Sequence, residues 1–141
     1  MRLLILLGEE NSGKTTVLKK LITYLKAYGY TFYPNNLEYK SLHNPERDVE
    51  VIMKKKGHLS IGVYTMGDDN KYYRKCLENN DNLDVLVLSQ RINIRILFNE
   101  AIKKDCQATF VLKEKNDKKK DMTKSDRKHC KFLFNILKLL K

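Results

Sequence analysis

The sequence predicts an α/β fold: a mostly parallel five-stranded sheet in a three-layer α/β/α sandwich, with one antiparallel strand at its edge. Two short runs, Leu3–Leu7 and Val85–Leu88, are apolar throughout, which is typical of parallel strands buried on both faces. Amphipathic helix patterns separate most of the strand patterns and would supply the crossovers of a parallel sheet. By contrast, only Lys55–His58 separates the alternating segments Asp48–Lys54 and Leu59–Thr65, so this pair is predicted to form an antiparallel hairpin.

A single domain, residues 1–141, accommodates all of these elements. The strand patterns fall at Met1–Leu7, Asp48–Lys54, Leu59–Thr65, Asp84–Ser89 and Ala108–Leu112. The helix patterns cover Lys14 to about Tyr28, ending at the capping residue Gly29, then Lys71 to about Asn79, Leu97–Ile102, and a last helix starting at Ser125 or Asp126. Right-handed crossovers lead us to expect the hairpin strands on one side of the first strand, with Leu59–Thr65 adjacent to it and Asp48–Lys54 at the edge. The strands Asp84–Ser89 and Ala108–Leu112 are expected on its other side. The segments 30–47 and 113–123 are predicted to be long connections, the second exposed.

The eight residues after the first strand match G-x-x-x-x-G-K-[ST] without a mismatch: Gly8-Glu9-Glu10-Asn11-Ser12-Gly13-Lys14-Thr15. Glycines let a backbone curl so that successive N–H groups point at an anion, and the following helix presents its positive N-terminus to the same place. The motif resembles the Walker A loop of the P-loop NTPase superfamily. That resemblance implies that Lys14 contacts the β- and γ-phosphates and that the Thr15 hydroxyl is a ligand of Mg²⁺. It also implies the remaining nucleotide-binding residues, which are Gly8, Asn11, Ser12, Gly13 and Thr16.

A second candidate site residue follows the strand Leu59–Thr65. Ligands bind beyond the carboxyl ends of strands in open α/β sheets, and P-loop proteins place a Walker B aspartate there to complete the magnesium shell. Asp68 is our candidate and Asp69 the second choice. Gly62, Tyr64 and Thr65 depart from the usual apolar Walker B strand. The alternative is a turn in which the aspartates cap the following helix.

A third candidate, Arg91, follows the strand Asp84–Ser89. An arginine at this end of the sheet is placed to stabilise the charge that develops in phosphoryl transfer. If a helix begins near Arg91, then Arg95 lies on the same face. The alternative is a pair of surface arginines at a helix start. Gln90 is a weaker candidate for orienting a water molecule.

The motifs favour ATP with Mg²⁺ over GTP. The N-K-x-D motif of GTPases has no match at Lys113–Lys118, and Gly67-Asp68 reverses the order of their D-x-x-G motif. The length and the strand end Thr65-Met66-Gly67-Asp68 resemble small, poorly characterised ATP-binding P-loop proteins of bacterial or phage type. We therefore expect a magnesium-dependent ATPase or a nucleotide-dependent switch. The alternatives are a kinase for a small molecule or nucleotide, and a nucleic-acid-binding protein regulated by nucleotide.

The 141 residues carry a formal net charge of +11, which favours nucleic acid or another acidic partner. The lysines concentrate at Lys54–Lys56 and between Lys113 and Lys131, although solvated loops often have this composition. The tyrosines at 30–33 and 72–73 are not interleaved with these lysines along the chain, so the sequence shows no stacking platform for bases.

The chain has no apolar run of the roughly 20 residues that a membrane span needs, and its first apolar run continues into the phosphate loop. We therefore expect a cytoplasmic protein with no membrane partner, while the sequence favours no particular oligomeric state. The three cysteines, Cys76, Cys106 and Cys130, lack metal-binding or disulfide spacing and are predicted to be reduced thiols.

Overall fold

The computed structural model describes residues 2–9, 12–33, 48–65, 82–91, 99, 107–113 and 119–140. Its elements are β1 (Arg2–Gly8), α1 (Lys14–Ala27), β2 (Thr31–Phe32), β3 (Glu50–Lys54), β4 (Ile61–Tyr64), β5 (Val85–Arg91), β6 (Gln107–Lys113) and α2 (Lys119–Leu139). The α/β class is confirmed. The helices predicted at 71–79 and 97–102 fall outside the described residues, apart from Asn99.

The sheet has six strands in the order β2-β3-β4-β5-β1-β6, instead of the predicted five. β1 pairs in parallel with β5 and β6, and β4 pairs in parallel with β5. The predicted hairpin is confirmed, because β3 runs antiparallel to β4 around a turn in which Gly57 has a φ of 79°. The antiparallel strand β3 is not the edge, however, because the short strand β2 pairs with it on the outside. Two residues, Thr31 and Phe32, are too few to produce an alternation that the sequence would reveal.

The predicted strand order was wrong at one position. β5 lies between β4 and β1, whereas we expected β4 to be the direct neighbour of β1. Crossover handedness restricts the side on which each connection passes, but it does not decide which of two apolar strands is adjacent to a third. Central positions for β1 and β5 were expected, and both strands are buried in the sheet interior.

Both described helices pack on the same face of the sheet. The core there joins apolar residues of α1 and α2, including Leu18, Ile22 and Leu133, to the strands. The opposite face of the sheet is also buried, around Leu3, Ile5 and other apolar residues. Since no described helix lies on that face, the described residues show a mixed sheet with one helical layer, and the third layer stays a prediction.

Gly29 caps the carboxyl end of α1 at the position that the sequence predicted. Gly29 has a φ of 106°, and its N–H donates to the carbonyl of Lys26 while the N–H of Tyr30 donates to that of Leu25. These two bonds satisfy carbonyls that the helix end would otherwise leave without a partner.

The last helix differs from its prediction. α2 begins at Lys119, well before Ser125, and Lys113 closes β6 instead of opening an exposed loop. Polar and charged residues fill the first turns of α2, so an apolar period appears in the sequence only further along. None of the described helices is long and apolar enough to cross a membrane.

Candidate nucleotide-binding site

The segment that carries the predicted phosphate-binding motif connects the central strand β1 to α1. Gly13, the residue before α1, has a φ of 92°, a left-handed conformation that glycine adopts without a steric penalty. Its carbonyl accepts the first helical hydrogen bond, from the N–H of Val17 at 3.0 Å. The first turn of α1 contains no acidic residue. The first turn itself therefore adds no negative charge that would oppose an anion at the helix start.

Lys14 reaches back over the loop. Its ammonium group donates to the carbonyl oxygens of Gly8 at 3.0 Å and Glu9 at 2.6 Å, and it lies 3.5 Å from the hydroxyl of Ser12. These contacts hold the positive charge at the carboxyl end of β1. Thr15 is half-buried in the first turn of α1 and Thr16 is exposed. Asn11 lies outside the described residues, so its predicted contact stays a prediction.

Gly8 marks the tightest packing around the loop. A Cβ atom at this position would lie 2.5 Å from the hydroxyl oxygen of Ser12 and 3.0 Å from the carbonyl oxygen of Lys113. Ser12 is itself fully buried. Any larger residue at position 8 would push the loop away from β6, so glycine is required here for close approach as well as for the motif.

Two basic residues flank Gly8 in the sheet. The register pairs Gly8 with Arg91 of β5 on one side and with Lys113 of β6 on the other. Arg91 is half-buried and is the last residue of β5, and the helix that we considered near it would continue outside the described residues. Its strand position nevertheless places it beside the loop, and the catalytic role we predicted for it stays a prediction. Arg95 lies outside the described residues.

Lys113 forms a buried ion pair that the sequence analysis missed. It is 1% exposed and its Nζ lies 3.1 Å from Oδ1 of Asp126 and 3.2 Å from the hydroxyl oxygen of Ser125, both on α2. Asp126 is 4% exposed, and its Oδ1 has this ion pair but no well-directed hydrogen bond. The same Oδ1 lies 2.8 Å from the position that a Cβ of Gly13 would take. The pair therefore joins β6, α2 and the Gly8–Thr15 motif.

One signal in the sequence pointed to Asp126. It precedes Cys130 and Leu133 by four and seven residues, a helical spacing that places it on the buried side of α2. A carboxylate on an apolar helix face needs a buried partner of opposite charge. The identity of that partner was not predictable, because Lys113 belongs to a lysine-rich stretch that otherwise looks solvated.

Buried hydroxyl groups tie the carboxyl ends of β4 and β5 together. Ser89 donates from its hydroxyl to the carbonyl of Thr65 at 3.1 Å. The Thr65 hydroxyl donates to Oδ1 of Asp48 at 3.0 Å and accepts from the N–H of Val49 at 2.8 Å. Burial lowers the pKa of the nearby Lys19, although the charge of Asp48 opposes this shift. These hydrogen bonds fix the positions of the carboxyl ends of β4 and β5 beside the candidate site.

The magnesium ligands remain predictions. Asp68 follows Thr65 by three residues and lies outside the described residues. Because β5 separates β4 from β1, the end of β4 is two strand spacings, roughly 10 Å, from β1. Within the described ranges, no group of three His, Cys, Asp or Glu residues is placed to hold a metal ion.

Comparisons with other proteins add no family assignment. No protein-family model, no curated protein and no solved structure matched the chain.

Proposed function

We propose that this protein binds ATP with Mg²⁺ at the Gly8–Thr15 motif and acts as an ATPase or a nucleotide-dependent switch. The observation that carries the proposal is the setting of the motif, which connects a central parallel strand to the N-terminus of α1. The left-handed Gly13 and the position of Lys14 over the loop support the same interpretation. A phosphate group at this position would meet backbone N–H groups and an ammonium ion, which are the groups that bind it best.

The resemblance implies a role for each residue of the proposed site, of which Asp68 lies outside the described residues. Lys14 and the first N–H groups of α1 would hold phosphates, and Thr15 with Asp68 would hold the magnesium ion. Magnesium supplies positive charge that offsets the charge of the phosphates. Arg91, beside Gly8, would stabilise the additional negative charge of the transferring phosphoryl group.

Titration calorimetry with ATP, ADP, GTP and GDP, with and without Mg²⁺, tests the binding step. We expect magnesium-dependent ATP binding that Lys14→Ala weakens at least about tenfold, since it removes the phosphate-contacting cation. Lys20→Ala is the matched control, because it removes the same charge from the same helix away from the loop. Tighter binding of GTP would move the chain to the GTPase class. No binding by the folded wild type would refute the site.

Phosphate release from ATP separates the remaining alternatives. We expect steady turnover without any acceptor, and an Arg91→Gln variant that binds ATP normally but turns over about 100-fold more slowly. Turnover that requires one member of a panel of nucleosides, nucleotides and sugars would identify a kinase. Normal turnover by Arg91→Gln would remove the proposed catalytic role of this residue.

A further inference from the structure

A row of aromatic rings lies at the end of the sheet opposite the phosphate-binding motif. His58 lies between Tyr30 and Tyr28, at ring-centroid distances of 6.2 Å and 6.0 Å, and Tyr28 meets Phe134 at 5.5 Å. These rings come from the end of α1, the β3–β4 turn and the end of α2. They line a cavity of about 520 Å³. A cavity of this size admits a planar group such as a nucleobase.

Lysines accompany the rings. The Nζ of Lys55 lies 3.9 Å from the ring centroid of Tyr28 and donates to the Tyr28 carbonyl at 2.7 Å. The Nζ of Lys138 lies 5.1 Å from the ring centroid of Phe134. None of the described residues that line the cavity is acidic. Burial raises the pKa of Tyr30, and the charges of Tyr28 and Asp84 add to this shift. The carboxylate of Asp84 accepts hydrogen bonds from the N–H and hydroxyl of Ser60.

Two of the rings, those of Tyr28 and His58, are exposed to solvent. Tyr28 is 42% exposed, and His58 and Lys138 are also exposed. Buried residues beneath them, including Leu25 and Leu137, belong to the main core and support this surface. The surface therefore combines a buried apolar floor, two exposed rings and cationic side chains that lie against the rings.

The fold brings together what the sequence keeps apart. The sequence showed no stacking platform, because its tyrosines and lysines do not alternate along the chain. In the structure, segments 28–30, 55–58 and 134–138 meet, and each contributes a ring. This juxtaposition was not visible in the sequence, because the three segments are far apart along the chain.

We propose that this basic aromatic surface, formed by Tyr28, Lys55, His58, Phe134 and Lys138, binds single-stranded nucleic acid. Unpaired bases stack on the exposed rings, and the lysines neutralise the adjacent phosphates. A single strand fits better than a duplex, whose bases have no free faces. It also fits better than an acidic protein segment, because carboxylates would use the lysines and leave the ring faces without a matching planar group. The net charge of +11 draws any polyanion towards the protein.

Fluorescence anisotropy with a labelled oligo-dT of about 15 nucleotides tests the proposal, since single-strand sites cover about 4–16 nucleotides. We expect Tyr28→Leu to weaken binding about tenfold, while Tyr28→Phe, which keeps the ring, stays within about twofold of wild type. Circular dichroism confirms that each variant is folded. Lys14→Ala should bind the oligonucleotide like wild type, so failure of the proposed ATP site leaves this result unchanged.

Two variants that each remove one lysine charge from α2 test whether the oligonucleotide binds at this surface. Lys138→Gln should weaken binding of the oligonucleotide. It should also reduce the slope of the logarithm of the binding constant against the logarithm of the salt concentration by about 0.7, the value for one phosphate contact on a single strand. Lys128→Gln, an exposed lysine elsewhere on α2, should have a much smaller effect.

Several results would overturn the proposal. Equal effects of Lys138→Gln and Lys128→Gln, with no effect of Tyr28→Leu, would show attraction by net charge alone. Equal affinity for an oligo-dA·oligo-dT duplex would exclude stacking on unpaired bases. Binding of polyglutamate that is as tight and as sensitive to Tyr28→Leu would identify an acidic protein partner. No binding at low salt would also reject the surface.

Discussion

Lysines behave differently at the two ends of this molecule. At the carboxyl end of the sheet, Lys113 is 1% exposed and its charge faces Asp126 at 3.1 Å. At the opposite end, Lys138 is exposed and its charge lies over the ring of Phe134. The same residue type therefore holds elements together in one place and keeps its charge at the solvent-exposed surface in the other.

Solvent explains the difference. A buried ammonium ion has lost its hydration and depends on a carboxylate for compensation, so removing either partner leaves an unpaired charge in the interior. An exposed lysine keeps its hydration, and its contact with a ring contributes about 0.5–1 kcal/mol. The first kind of lysine should dominate stability, and the second should contribute mainly to binding.

Breaking the buried pair gives the largest expected effect. Asp126→Ala leaves Lys113 charged and buried, and we expect it to lower the free energy of unfolding by about 3–5 kcal/mol. Urea denaturation followed by circular dichroism measures the loss. The double variant Lys113→Met/Asp126→Leu should recover most of it, because it replaces both charges with apolar groups. A loss below about 1 kcal/mol for Asp126→Ala would show that water reaches the ion pair. Lys113 would then contribute no more to stability than an exposed lysine does.

The next largest loss of stability is expected when a glycine of the Gly8–Thr15 motif is replaced. Gly13→Ala would force a left-handed alanine against the Asp126 carboxylate, 2.8 Å away, and we expect a loss of about 3 kcal/mol. Gly57→Ala is the matched control, because Gly57 also has a positive φ but has no atom within 4 Å of the added Cβ. It should cost only about 1 kcal/mol in the same denaturation experiment. Equal losses would show that the contact between α2 and the motif contributes nothing.

Cys130, on the buried side of α2, adds a pH-dependent test. Burial raises the pKa of its thiol from 9.0 to about 11, against the opposing charge of Lys20. The folded state therefore retains a proton that the unfolded state releases, so this stabilisation is complete below pH 9 and is lost as the pH rises towards 11. Between pH 9 and pH 11, the free energy of unfolding of wild type should fall by about 2 kcal/mol relative to that of Cys130→Ala. A constant difference between the two proteins would show that the thiol is hydrated.

The smallest effect should come from the exposed end. Lys55→Gln removes a charge above Tyr28 and a hydrogen bond to its carbonyl, and we expect at most about 1 kcal/mol of destabilisation. Thermal unfolding at low and high salt measures it. A loss comparable to that of Asp126→Ala would mean that this lysine is structural, which would weaken its assignment to a binding surface.

The sequence predicted those features that depend on local pattern. The apolar runs located β1 and β5, the four-residue gap between two alternating segments predicted the hairpin, and Gly29 marked the end of α1. The phosphate-binding motif was visible because its residues are consecutive.

Features that depend on distant partners were not predictable. The position of β5 beside β1 is decided by how two equally apolar strands pack. Lys113 resembles its solvated neighbours until β6 brings it to Asp126, and the ring row needs three separate segments to meet. A pattern within one segment carries no information about such pairings.

The place of β1 in the sheet has a consequence for how the chain is made. Its first residues pair with strands near the middle and towards the end of the sequence, since Arg2 lies opposite both Val85 and Gln107. Contacts this distant close large loops and slow folding. During synthesis, β1 emerges first and must wait for both neighbours, so its apolar residues are exposed until β6 has left the ribosome. Of the described strands, the one made earliest is thus among the last to gain both of its neighbours.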